Sequence, residues 1–257
     1  MGDTRIVYEP FGINTFKREI CAELGEKFWN ELVKDIELPD IDTECHCQCR
    51  NMTAFMKKLE ASTDKETVQQ ILYKVRHGLT PSQSAWAHEE FLRFGDLDKF
   101  IQKHLSSEWE YFVELNREGR DFYGQPITDE VLAFVKEHPH MLAPVREGNK
   151  LKCMAFPANM NEYLKAPDKQ MKRYHACHCP FARESILSDE TVPSILCNCS
   201  LGHVANFSEA FLGMPLSGRV ISSVLAGDLT CEYEIDLPDE VMQKYVKEYS
   251  DAEYSAL

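Results

Sequence analysis

Positive charge is scarce in this chain: 28 lysines and arginines stand against 42 aspartates and glutamates, a net charge of -14. That balance opposes nonspecific binding to nucleic acid or to an anionic membrane surface, and no local basic stripe reverses it. No apolar run approaches the length of a membrane span, and the opening residues, MGDTRIVYEPFGINTFKREI, have no basic segment followed by an apolar stretch and a cleavage site. The expected location is the cytoplasm, with no nucleic-acid and no membrane partner. Familiar catalytic signatures are missing too. The chain contains no glycine-rich phosphate loop, no dinucleotide fingerprint, no His-Glu-x-x-His and no Gly-x-Ser-x-Gly, which disfavours the large enzyme families those motifs define.

What the 257 residues do hold is an ordinary globular balance, 44% hydrophobic, enough for a sizeable core. They also hold ten cysteines, seven of them in Cys-x-Cys runs. In extended chain, residues two apart are about 6.6 Å from each other with parallel side chains, so a disulfide between them is strained and a shared metal suits them better. With no leader for secretion, the cysteines point to metal or thiol chemistry in a reducing compartment.

The first half reads helical. From Thr15, Phe16, Ile20, Leu24, Phe28, Leu32 and Ile36 recur every fourth position, with Cys21, Trp29 and Val33 widening the stripe, which predicts one helix with a single buried face. That face packs on the C-terminal part or forms the seam of a homodimer. Cys45-His46-Cys47-Gln48-Cys49 precedes a short helix carrying Met52, Phe55, Met56 and Leu59. Thr63 with Glu66 predicts a capped helix through Val68, Ile71, Leu72 and Val75, ended by Gly78. Thr80, Pro81 and Gln83 open another, closed by Gly95. Leu97 to Leu105 and Trp109 to Leu115 continue the period to Gly119, and Thr128 to Glu137 adds one more.

After about residue 140 the texture changes. Lys150 to Phe156 alternates after the turn signal Glu147-Gly148-Asn149, Gln170 to Ala176 is a weaker strand candidate, and Arg219 to Asp236 reads as a hairpin about Ala226-Gly227-Asp228. Helices are expected from Pro180 to Leu187 and from Leu201 to Leu212. The fold class is therefore α+β: a helical region over 1–140, then a cysteine-rich α+β domain over 141–257 with an antiparallel sheet, packed helices and a ligand or metal site.

The chemistry concentrates in His175 to His203, HACHCPFARESILSDETVPSILCNCSLGH. Pro180 suits a first helical position, which sets Cys179 at a helix mouth. Ser200 reads as the cap of the next helix, with Cys199 just outside and His203 in the first turn. Backbone N–H groups and the helix dipole at such a mouth stabilise a thiolate. The metal reading takes Cys177, Cys179, Cys197, Cys199 and His203 as ligands of zinc, or of another thiophilic metal. The catalytic reading gives Cys199 or Cys179 the nucleophile's role with His203 as acid or base, and Arg183 with His175 the binding of a small organic ligand or substrate. Cys45, Cys47 and Cys49 with His46 form a second candidate set. Against these stands the reading of the cysteines as small buried hydrophobes. Two functions follow: a zinc-binding, hydrolase-like enzyme, or a small-molecule-binding or sensor module whose metal is structural.

The stretch Ser223-Val-Leu-Ala-Gly-Asp-Leu-Thr-Cys231 resembles the end of the 4-vinyl reductase-like small-molecule-binding domains, and of bacterial proteins grouped with L-2-amino-thiazoline-4-carboxylic acid hydrolase. The likeness covers residues 200–237. It implies an α+β domain that encloses a small organic ligand between sheet and helices. In the first of these families a cysteine matching Cys231 is a zinc ligand. Here Ser223 stands where that family has an earlier cysteine and Val220 near its acidic ligand, so any metal is expected in the 177–203 cluster rather than at this hairpin.

Overall fold

A computed structural model describes residues 12–38, 47–76 and 78–247, without the side chains of Cys47 and Gln48. The N-terminal apolar stripe forms two helices rather than one, α1 (Ile13–Leu24) and α2 (Glu26–Val33). The break is Gly25, at φ 86° and ψ 160°, a conformation closed to residues with a Cβ. The stripe keeps its face across the break: Phe16, Ile20, Trp29 and Leu32 are buried. Phe16 meets Phe55 and Phe181 edge-on at 5.9 and 6.0 Å, so the stripe packs inside the chain.

α3 (Cys47–Ser62) starts earlier than its cysteines suggest, which puts Cys49 in its first turn instead of ahead of it. Cys45 and His46 lie outside the described residues. Met52, Phe55, Met56 and Leu59 are all buried, as the spacing predicts. α4 (Lys65–Lys74) is capped by Asp64 in place of the expected Thr63: its carboxylate accepts from both the amide and the hydroxyl of Thr67, at 2.9 and 2.6 Å, which sets the helix start one residue later. α4 ends at Val75, before Gly78. α5 (Pro81–Phe94) has the Thr80 and Gln83 capping box and the left-handed Gly95 that the sequence announces. α6 (Leu97–Glu118) runs without interruption to Gly119.

A small hairpin, β1 (Asp121–Phe122) with β2 (Gln125–Pro126), leads to α7 (Asp129–Glu137), capped by Thr128. β3 (Val145–Glu147) and β4 (Lys150–Met154) pair about Gly148. α8 (Met160–Lys165) and α9 (Lys169–Ala176) follow. The latter corrects the strand expected at 170–176: Asp168 accepts from the Met171 amide at 2.9 Å and fixes a helical first turn that the alternating side chains disguise. Short 3-10 turns at Arg183–Leu187 and Ser194–Cys197 precede α10 (Asn198–Leu212), and β5 (Gly218–Ser222), β6 (Glu232–Asp236) and α11 (Asp239–Tyr245) complete the described order. The main sheet is antiparallel in the order β3-β4-β6-β5, with helices packed against it, an α+β fold.

Burial divides into two cores. One gathers α1 to α4, α7 to α9 and both 3-10 turns around Phe16, Phe55, Phe181 and Cys177, Cys197 and Cys199. The other joins α5, the start of α6, α10, α11 and the sheet around Phe91, Phe100, Phe211, Tyr233 and Ile235. Each core draws on both sides of residue 140, so the change of texture there marks where the sheet begins and not a division between separate cores. α10 bridges the two. At Gly202 it approaches α4 so closely that a Cβ would stand 1.8 Å from the Tyr73 carbonyl oxygen. Arg76 donates to the Gly202 carbonyl at 2.8 Å and pairs with Glu209, which also accepts from the Tyr73 hydroxyl at 2.9 Å and the Leu216 amide at 3.0 Å. This network fixes the helix that carries Cys199.

Candidate functional site

Three separate stretches bring sulfur into the first core. Cys177 ends α9, its amide donating to the Arg173 and Tyr174 carbonyls. The chain then turns: the Cys179 carbonyl accepts from Ala182 and Arg183 at 3.2 and 3.0 Å, and Arg183 Nε donates to the Cys177 carbonyl at 2.7 Å. Pro180 therefore opens a tight turn followed by a five-residue 3-10 segment, and the α-helix mouth expected at Cys179 does not form. At the second stretch the 3-10 turn runs straight into α10, so Cys197 occupies the N-cap position, Cys199 lies inside the first turn, and Ser200 is not the cap. The third is Cys231, just ahead of β6, at the end of a loop that Asp228 closes by accepting from the Ser223 amide at 2.9 Å.

These sulfurs are near enough for their charges to oppose one another. Burial, with Cys231 and Cys49 adding repulsion, pushes the Cys177 thiol up to about 12. Cys179 and Cys197 are raised well above the ordinary value, first by burial and then by neighbouring cysteines; Cys199 is pushed up to about 11 by burial, and Cys231 is raised for the same reason. Cys49, from α3, is raised by burial and lies against Cys177. The lowered thiols expected from helix mouths are thus absent: no helix mouth forms at Cys179, and burial is the largest cause of the shift at both Cys179 and Cys199. At pH 7 a thiol with a pKa near 11 is ionised in about one molecule in ten thousand.

Polar groups around each of these sulfurs nonetheless favour its ionised form, though less than burial opposes it. The Cys179 backbone serves Cys177, the Phe181 backbone serves Cys179, and the backbones of Ser185 and Glu184 serve Cys49. Ser200 serves Cys199. The Val224 amide lies 3.5 Å from Cys231 Sγ, which the Tyr233 hydroxyl also approaches. Ser223 Oγ is 3.0 Å from Cys197 Sγ, a pair in which either group can donate, and it accepts from the Leu225 amide at 3.2 Å. Arg173 secures this loop from α9 by donating to the Val224 carbonyl at 2.7 Å.

Other expected site residues have different surroundings. His175, at the last turn of α9, packs its ring edge-on against Tyr174 at 5.3 Å. His178 is exposed and its Nε2 bonds the Phe156 carbonyl. Arg183 braces the 177–183 turn through the bond already described, in place of the carboxylate clamp its position suggested. His203 lies half-buried on α10, one turn beyond Cys199. Sequence spacing missed Ser223, Ser200 and Tyr233, whose roles arise only when β5, β6 and α10 meet. Cys231, at the hairpin, lies near enough to Cys177 and Cys197 to raise both thiols.

Among the described residues, no three His, Cys, Asp or Glu side chains are arranged as a group that could hold a metal ion. Among the same residues, no helix is long and apolar enough to cross a membrane. No family model, curated protein or solved structure matches the chain.

Proposed function

We propose that this protein binds a thiophilic metal ion, zinc in the first instance, through cysteines drawn from 177, 179, 197, 199 and 231, and that the metal supports the structure of a small-molecule-binding or sensor module. One observation carries this reading: cysteines from three distant stretches share one core, near enough for their charges to interact, with Ser223 Oγ 3.0 Å from Cys197 Sγ and the Val224 amide 3.5 Å from Cys231 Sγ. Donors of this kind orient and tune metal-bound sulfur. As free thiols, the same groups are held protonated by burial and by each other. A cation reverses both effects, because coordination requires the thiolate and the metal charge stabilises it. Binding calls for the sulfurs to turn towards a common centre, a rearrangement that the side chains of Cys179 and Cys231, half-buried as they are, allow.

The alternative in which Cys179 or Cys199 attacks a substrate as a free thiolate is disfavoured by their raised pKa values. His203, one turn from Cys199, is proposed as a further ligand or as the acid or base if a metal-assisted, hydrolase-like reaction takes place there. The experiment is elemental analysis of the purified protein together with cobalt(II) titration of the metal-free, reduced form. Stoichiometric zinc and an intense thiolate-to-cobalt absorption support the proposal. Protein without metal, with no such absorption and with unchanged thermal stability in chelator, overturns it.

A further inference from the structure

A cleft of about 430 Å³ lies where the start of α4 faces the outer edge of β5. Its lining includes the exposed Glu60, Lys65 and Asp228, the half-buried Gln69 and Ser194, and two buried polar residues, Asn198 and Ser223, 7% and 2% exposed. Ser223 is the residue whose hydroxyl stands 3.0 Å from Cys197 Sγ. A polar cleft therefore leads from solvent to within one side chain of a sulfur that is itself only 8% exposed. Elsewhere that core is packed with apolar side chains such as Phe181, Ala182 and Leu196.

We propose that this cleft is the entrance by which small hydrophilic solutes, thiophilic metal cations among them, reach the sulfur cluster, with Ser223 at its inner end. The metal part of this proposal rests on the metal-binding reading above; the route itself does not. Beside the apolar Pro193, Ile195, Val220, Ile221 and Ala226, the lining offers a hydrated cation or a neutral amide hydroxyl, amide and carboxylate groups with which to replace water. Glu60 and Asp228 against Lys65 leave the lining with a net negative charge that favours cations over anions. Cys179 and Cys231 are less covered than Cys197, and they define the competing route.

Two substitutions in the lining, on different elements, test the entrance: Gln69→Trp in α4 and Ser194→Trp in the 3-10 turn before α10, each checked for an unchanged melting temperature. In the first arm the reduced, metal-free protein is treated with iodoacetamide at mildly alkaline pH and the alkylated cysteines are mapped by mass spectrometry against time. Each plug is expected to slow alkylation of Cys197 about tenfold, as loss of access should, while Cys179 keeps its rate. Unchanged Cys197 rates in both variants, or slowing shared equally by Cys179, overturn the route. In the second arm cobalt(II) loading and its extraction by a chelator are followed by absorbance. Both rates should fall by the same factor with the dissociation constant unchanged, because a plug alters the path and not the site. Unchanged rates in both variants, or a change in only one of the two rates and hence in affinity, overturn the route for the metal. Absence of any cobalt spectrum in the unsubstituted protein defeats the metal reading alone, and the alkylation arm still decides the entrance.

Discussion

Cys153 and Cys197 are both buried, yet they sit in cores of opposite character. Cys153 faces Tyr233 across the β4–β6 pair in the second core, and burial alone pushes its thiol up to about 12. It behaves as a small hydrophobe. Cys197 is as deeply covered but has Ser223 at its sulfur and Cys231, Cys199 and Cys177 as neighbours. Burial by itself therefore says nothing about chemistry in this protein. The donors around a sulfur, and the other sulfurs near it, separate a filler residue from a candidate ligand.

The largest effects that would break this comparison come from its two aromatic supports. Phe181→Ala in the first core and Phe211→Ala in the second should each lower unfolding free energy by about 3–5 kcal/mol, measured by urea denaturation. Only Phe181→Ala should also alter the cobalt spectrum, since that ring packs in the sulfur core. Equal spectral changes in both would mean that the cores are not chemically distinct.

Next in size is the ligand test. Cys197→Ser should weaken cobalt binding by at least about 100-fold, more than the loss usual for an outer-shell partner, and Cys153→Ser by less than about twofold. A matching loss at Cys153 would erase the distinction between the two sulfurs. In chelator the unsubstituted protein, if it binds zinc at about 100 times the dissociation constant, should lose about 2.7 kcal/mol.

Alkaline titration sharpens the same contrast. A thiol whose folded pKa is raised holds its proton in the native state after the unfolded chain has lost it, so stability is full below pH 9 and falls as pH climbs towards about 12 for Cys153 and Cys177. Each such thiol contributes a slope of up to about 1.4 kcal/mol per pH unit. Cys153→Ala should remove its share with or without metal. Zinc should abolish the share of the cluster cysteines, whose bound forms are already deprotonated, and leave that of Cys153 in place. Chemical denaturation between pH 8 and 11 reads both.

The smallest effect concerns one hydrogen bond. Tyr233→Phe removes the hydroxyl beside Cys231 and Ser200 and should cost about 1 kcal/mol of stability. It should also shift the thiolate-to-cobalt band, which a merely structural hydroxyl would not move.

Local signals were legible where they depend on neighbours in sequence. The Thr80, Pro81, Gln83 opening of α5, its Gly95 end, and the buried faces of α1 to α3 follow from backbone satisfaction and the helical period, which any short stretch carries within itself. The Asp64 cap and the α9 helix show the limit of that legibility, because two plausible caps or two periods compete over a few residues and the winner depends on packing.

By itself the sequence determined an acidic α+β chain whose thiols gather in Cys-x-Cys pairs, and it singled out Cys177, Cys179, Cys197 and Cys199 together. Only the tertiary structure decided that Cys231 and Cys49 join them, that Arg183 braces the turn, and that Ser223 and Tyr233 serve the sulfurs. The reason is physical. A thiol's protonation and its partners are set by burial and by groups within a few ångströms, and here those groups come from α3, α10 and the β5–β6 loop, which are far apart in the chain and adjacent only once the first core has closed.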